Sequence, residues 1–372
     1  MNLRPLLLSV AVLAPLAAAV WWFQRPEPPP SLSDARVGQR LAEPDALARA
    51  ARIRLTLPSG ENVAFARAAN ERWTVEGAPA LPADIAKLAR LSSELVGARI
   101  ERLVTRNPDR ISALGFGDTR IAYLDAEDKT LLQLDLGKTA DGGGSFLRHG
   151  EEPRAYLARL DLHLDATAAA WRDTLLLPGL AAADIASLRI HFTDTFVVNS
   201  ATLTRETADA PWAADSTPDG KQLKQSLITG QLTNLANLRY TNPAPRLDPA
   251  VVAARVFARE IELRTFEGRS VTVTFKRVPA PPGPAESESA PPAEPRPVYV
   301  EVTDSSPDAI LAEAVKTHAF EVAEWVFNAL PAKPADLFED APAAASSPAP
   351  DEPVSVTTEP VSIETSPTPA EK

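Results

Sequence analysis

The sequence predicts an α+β protein with two tandem duplicated lobes, each a mostly antiparallel sheet with helices on one face, after an N-terminal transmembrane helix. Three observations predict this. Short segments of alternating polarity, bounded by turn residues, read as hairpins and flank amphipathic stretches at helical spacing. The order of those segments recurs along the chain. An uncharged run from Pro5 to Phe23 precedes them all.

Composition sets the limits. The chain has 372 residues, 45% hydrophobic and 23% charged, enough for about two domains of roughly 150 residues each. The net charge of −11 argues against nucleic acid as a partner, because phosphates demand a basic surface. There is no cysteine, which removes disulfides, thiolate metal sites and cysteine nucleophiles.

Residues 1–25 read as a membrane anchor. Pro5 to Phe23 gives roughly 28 Å of helix, close to the hydrocarbon thickness of a bilayer. Trp21 and Trp22 stand where an aromatic belt would lie. A signal peptide is the alternative, since Ala17-Ala18-Ala19 offers a small-residue cleavage site. Either reading exports the remainder. Residues 26–46, rich in proline and polar groups, read as a stalk.

The first repeat is expected over 47–180. RIRLTL and NVAFARA alternate around Pro58-Ser59-Gly60 and make a hairpin, and Trp73 lies on a third strand. Ile85, Leu88, Leu91 and Leu95 have helical spacing, with Gly97 past the end. RIERLVT is a strand. Asn107-Pro108 opens a short helix, since Asn caps and Pro suits the first turn. Two more hairpins follow, the second around Gly142-Gly143-Gly144, and AAAWRDTLLLP closes the unit as a helix.

The second repeat is expected over 181–330. Trp212 answers Trp73, and Pro249 answers Pro108. Val273 and Phe275 answer Leu132 and Leu134 at that same offset, RPVYVEV answers PRAYLA, and VAEWVFNALP answers AAAWRDTLLLP. The proline-rich insertion 279–297 falls at the glycine-rich hairpin tip and reads as disordered. So does the tail 331–372, with eight acidic residues against two lysines.

Leu136-Gly137-Lys138, Phe146-Leu147-Arg148, Ala155-Tyr156-Leu157 and the strand Glu71-Arg72-Trp73-Thr74-Val75 together resemble the domain-of-unknown-function family DUF4340, over roughly 47–330. The resemblance implies a bacterial protein of the inner membrane, single-pass, with its bulk in the periplasm. It also implies a protein partner in an ABC transport system of the kind linked to gliding motility. It carries over no catalytic residue. Phe146 stands where the family usually has Tyr, and the second unit lacks the Leu-Gly-Lys motif.

The candidate chemistry is sparse. Gly137-Lys138-Thr139 lacks the upstream glycine of a phosphate loop, where Leu132 stands, and leads into a hairpin. Lys138, Arg148 and Arg154 surround the glycine-rich turn and are the candidate contacts for an anion or partner. His149, His163, His191 and His318 are scattered without metal spacing. Asp161 and Asp165 near His163 read as helix-capping residues, and Asp125, Glu127 and Asp128 as a solvated turn. Trp73, Trp171, Trp212 and Trp325 read as core, since paired placement fits packing better than a sugar platform. No cofactor and no catalytic activity are expected. The favoured function is a membrane-anchored extracytoplasmic scaffold. The alternative is an envelope polysaccharide- or anion-binding module, and a hydrolase is least favoured.

Overall fold

Ile53, Leu55, Val63 and Phe65 alternate with polar or small residues, so in the computed structural model their strands bury one face each. The described residues are 34–341, except 69–70, 161, 195–196, 256–257, 278–295 and 309. The expected anchor 1–25, most of the insertion 279–297 and the tail from 342 lie outside them. No helix among the described residues is long and apolar enough to cross a membrane.

The first lobe runs α1 (Pro44–Ala48), β1 (Arg52–Thr56), β2 (Asn62–Arg67), β3 (Trp73–Val75), β4 (Leu81–Pro82), α2 (Ile85–Gly97), β5 (Ile100–Thr105) and α3 (Pro108–Ser112). It continues with β6 (Thr119–Leu124), β7 (Thr130–Thr139), β8 (Ser145–His149) and β9 (Ala155–Ala158). The sheet order is β4-β3-β2-β1-β6-β7-β8-β9-β5, antiparallel at every pairing. Helix α2 starts where the Asp84 carboxylate accepts from the Lys87 N–H, and it lays Leu88, Leu91 and Leu95 on the sheet. Asn107 caps α3 as expected. At the tip between β7 and β8, Gly144 has φ +81°, and a Cβ there would meet the Ala158 carbonyl oxygen at 2.5 Å. Gly144 is thus a steric requirement of the turn, and Gly143, at φ +87°, a conformational one.

The second lobe runs β10 (Ile185–Asp194), β11 (Val197–Thr204), β12 (Ala213–Ala214), β13 (Lys221–Leu223), α4 (Gln225–Ala236), β14 (Pro243–Pro245), α5 (Pro249–Ala254) and β15 (Ala258–Thr265). Then come β16 (Ser270–Arg277), β17 (Val298–Asp304), α6 (Leu311–Thr317), β18 (His318–Val322), α7 (Glu324–Asn328) and β19 (Phe338–Asp340). Its sheet order is β12-β11-β10-β15-β16-β17-β18-β14. That matches β3-β2-β1-β6-β7-β8-β9-β5 position for position. The architecture is α+β and mostly antiparallel.

Several expectations are corrected. The helices do not all share one face: α4 and α6 pack into the main core of the second lobe, whereas α5 packs with Tyr299 and Ala319 on the opposite face. Val298–Asp304 sits beside β16 as β8 sits beside β7, so it answers β8 and not the PRAYLA strand. The place of β9 belongs to His318–Val322. The shared tyrosine of the two phrases misaligned them.

The closing phrase is not a helix in the first lobe. Ala168–Trp171 forms a single 3-10 turn. Its counterpart is the 3-10 turn Pro334–Leu337, not the Trp325 helix. The Trp171 carbonyl accepts from the N–H of Asp84, the residue before α2, and the Leu337 carbonyl accepts from the N–H of Lys224, the residue before α4. Trp171 is 3% exposed and meets the Phe65 ring edge-on at 5.8 Å. Leu337 is 1% exposed, whereas Trp325 is 59% exposed. Trp325 is therefore a surface residue. Trp212 is buried, and Trp73 is half-buried against the first core.

Both outer boundaries move with this. Residues 331–341 are packed rather than loose, for β19 pairs with β13 and buries Phe338. The stalk ends earlier than 46. Gly38 donates to the Ile100 carbonyl, Leu41 donates to that of Ala98, and Leu41 and Ala42 are buried. In the second lobe the N–H of Leu176 donates to Leu238 and that of Tyr240 to Thr174, so 174–176 does there what 38–41 does in the first. The segment 168–180 is thus a strap. It fills the first core with Trp171 and the second with Leu176, Leu177 and Leu180. An ion pair from Arg72 to Asp308 also joins the lobes, and Leu81 of β4 lies in the second core.

Candidate functional site

Strand alternation sends successive residues of β8 to opposite faces, and this separates the expected contact residues. Leu147 enters the first core, so Arg148 points outward and His149 to the core side. On the outer face, Asp135 of β7 is a buried carboxylate held between two guanidinium groups. Arg120 Nε donates to its Oδ1 and Arg148 Nη2 to its Oδ2, each at 2.7 Å. Arg148 also lies over the Phe116 ring at 5.4 Å from its centroid. Lys138 is exposed, with Nζ 3.4 Å from the Ala113 carbonyl. Arg154 belongs to a different group. Its guanidinium donates at 3.2 Å to Asp34, which also accepts from the Tyr156 hydroxyl at 3.3 Å and forms an ion pair with Arg106 at 3.5 Å. The Arg36 backbone N–H, aided by Arg154, Tyr156 and Arg106, holds the Asp34 carboxyl below the usual carboxylate range against its burial. The structure therefore does not assemble Lys138, Arg148 and Arg154 into one anion site. Arg148 and Arg154 are each engaged by a carboxylate of their own.

Beside His163, the one described acidic residue of the expected pair is taken up by a lysine. Asp165 accepts from Lys87 Nζ at 2.6 Å, and Asp161 lies outside the described residues. Asp128, in the turn between β6 and β7, pairs with Arg52 and Arg54 of the neighbouring strand β1.

A polar cleft that sequence reasoning missed opens between residues 36–47 and the β7–β8 hairpin. It encloses about 600 Å³ and is lined by Arg36, Gln39, Glu43, Gln133, His149 and Glu152. His149 stands edge-on to Tyr156, with ring centroids 6.1 Å apart. Burial pushes its pKa down to about 4, and Arg36 adds to the fall. Glu152 Oε1 accepts from Arg36 Nη2 at 2.5 Å. His149 Nε2 and Glu152 Oε2 are buried without a partner among the described residues. A neutral imidazole N–H and a carboxylate oxygen together suit a hydroxyl, which accepts from one and donates to the other. A group ionising near pH 4 is poorly matched to proton transfer at pH 7. The signal was hidden because Arg36 is remote in sequence from the hairpin.

His149 makes stability depend on pH. Its folded pKa lies below the ordinary value of about 6.5, so the unfolded chain takes up its proton first. Stability should fall as pH drops from about 6.5 to about 4, by about 2 kcal/mol after allowing for partial exposure. Urea denaturation at steps across that window checks this. The His149→Gln variant should lose that part of the slope, and an unchanged slope would refute the assignment.

Residues 73–252 match the family described as Domain of unknown function (DUF4340). The match begins at Trp73 in β3 and ends inside α5, so it spans the strap and parts of both lobes. No curated protein and no solved structure matches the chain.

Proposed function

We propose, starting from the match of residues 73–252 to the DUF4340 family, that the chain is a non-catalytic scaffold of the bacterial envelope. Residues 1–25 hold it in the inner membrane, and the two lobes stand in the periplasm, where they dock a subunit of an ABC-type transport system. The lobes arose by duplication of one unit. The observation that carries the reading is how the strong side chains are used. Asp135, Asp34 and Asp165 are each occupied by arginine or lysine, which fits a rigid platform better than a reactive cleft. Eight residues, 26–33, separate the anchor from Asp34 and reach at most roughly 28 Å. The first lobe then lies within about one bilayer thickness of the surface.

Crosslinking in native membranes followed by affinity capture should recover transporter subunits, and their absence would overturn the partner. Removing residues 1–25 should release the protein from the membrane fraction.

A second reading is favoured by the cleft at His149 and Glu152: a site for a hydroxyl-rich envelope ligand, such as a polysaccharide. It replaces the expected anion site at Lys138, Arg148 and Arg154. Retention of the protein on isolated envelope polysaccharide should be lost in Glu152→Gln. Equal retention of both proteins would count against it.

A further inference from the structure

The outer face of the second sheet holds a cluster that neither reading uses. His191 on β10 is the direct cross-strand partner of Glu260 on β15, and Glu262 follows two residues along the same face. One donor atom from each of the three residues lies within 4.8 Å of the other two, and His191 Nε2 is 3.1 Å from Glu262 Oε1. Two carboxylates so close repel one another. Their compensation is uneven: Arg189 reaches Glu262 at 3.6 Å, while Glu260 accepts from the Thr274 hydroxyl at 3.2 Å. Beside the cluster a cleft of about 260 Å³ is walled by Glu262, Arg189, Arg264 and the hydroxyl residues Ser187, Thr202 and Ser270. Sequence spacing missed the set because β10 and β15 meet only through the sheet.

We propose that His191, Glu260 and Glu262 bind a divalent transition metal, zinc being the ion whose chemistry fits best. One imidazole nitrogen and two carboxylate oxygens are ordinary zinc donors, with bonds of about 2.0–2.2 Å. Donors around a tetrahedral ion then stand roughly 3.3 Å apart, so closing the set from within 4.8 Å takes side-chain movement of at most about 1.5 Å. Three protein ligands leave a fourth position. The Arg189 and Arg264 guanidinium groups and the hydroxyls in the neighbouring cleft suit an oxyanion there, a carboxylate or phosphate on a docking partner. The cation also relieves the repulsion between the two glutamates.

The test is titration of the purified full-length chain with Zn²⁺ by calorimetry, and with Co²⁺ by its visible absorption. One ion per chain is expected, with an imidazole- and carboxylate-type cobalt spectrum. Glu260→Gln, which keeps the shape of the side chain, and His191→Ala should each weaken binding by about tenfold or more. Zn²⁺ should raise the thermal midpoint of the wild type but not of Glu260→Gln. Absence of stoichiometric binding would overturn the proposal, as would affinity unchanged in both variants. Neither result bears on capture of transporter subunits.

Discussion

Replacing Trp171 by alanine should cost about 3–5 kcal/mol of stability, the range for emptying a large aromatic site in a core. The same change at Trp325 should stay within about 0.5 kcal/mol, as at other surface positions. The two tryptophans occupy like-sounding phrases, but only Trp171 is enclosed. Its ring meets Phe65 edge-on, a geometry that adds about 0.5–1.5 kcal/mol to the burial of the ring itself. Its indole N–H is buried without a partner among the described residues, so Trp171→Phe should be milder than Trp171→Ala. Equilibrium urea denaturation of the three variants measures the order. Equal losses at 171 and 325 would mean that the phrases are equivalent after all.

The second large effect is expected at Asp135. Its carboxylate is enclosed, and Arg148 beside it is 23% exposed. Asp135→Asn leaves two cations facing a neutral amide. Breaking a buried pair from one side costs about 3–5 kcal/mol. Arg120 is 45% exposed and regains water, so about 2–3 kcal/mol is expected here. Arg148→Met alone should also destabilise, whereas Asp135→Leu with Arg148→Met should recover part of the loss, because an apolar pair leaves no orphaned charge. A double-mutant cycle by urea denaturation reads the coupling. Strictly additive losses would show that the three groups do not act together. For the same reason, alanine at Arg148 reports on folding before it reports on any ligand.

Much of the fold was legible, because local periodicity is a direct record of which face is buried. The spacing of Leu88, Leu91 and Leu95 marked α2, and Asn107-Pro108 marked the start of α3. What failed was alignment by conspicuous residues. Two tryptophans and two tyrosines paired phrases that the hydrogen bonds pair differently, and the true partner of Trp171 is a leucine. Composition also misled. Proline-rich surroundings hid Leu41 and Ala42, and the acidic tail hid Leu337 and Phe338, although all four are buried. The sites were the least legible part. Asp34 meets Arg154 by a side-chain bond between segments far apart in sequence, and His191 meets Glu260 only through the pairing of β10 with β15.

The strap has a practical consequence for anyone dissecting the molecule. Pro178-Gly179 looks like a natural place to cut, yet a fragment beginning at 181 would leave Leu176 and Leu177 behind on the discarded piece. Each is worth about 1.5–3 kcal/mol of burial, and the N–H of Tyr240 and the carbonyl of Leu238 would lose their partners with them. The seam between the modules runs at 173–174, so each is completed by residues that a conventional boundary would assign to its predecessor.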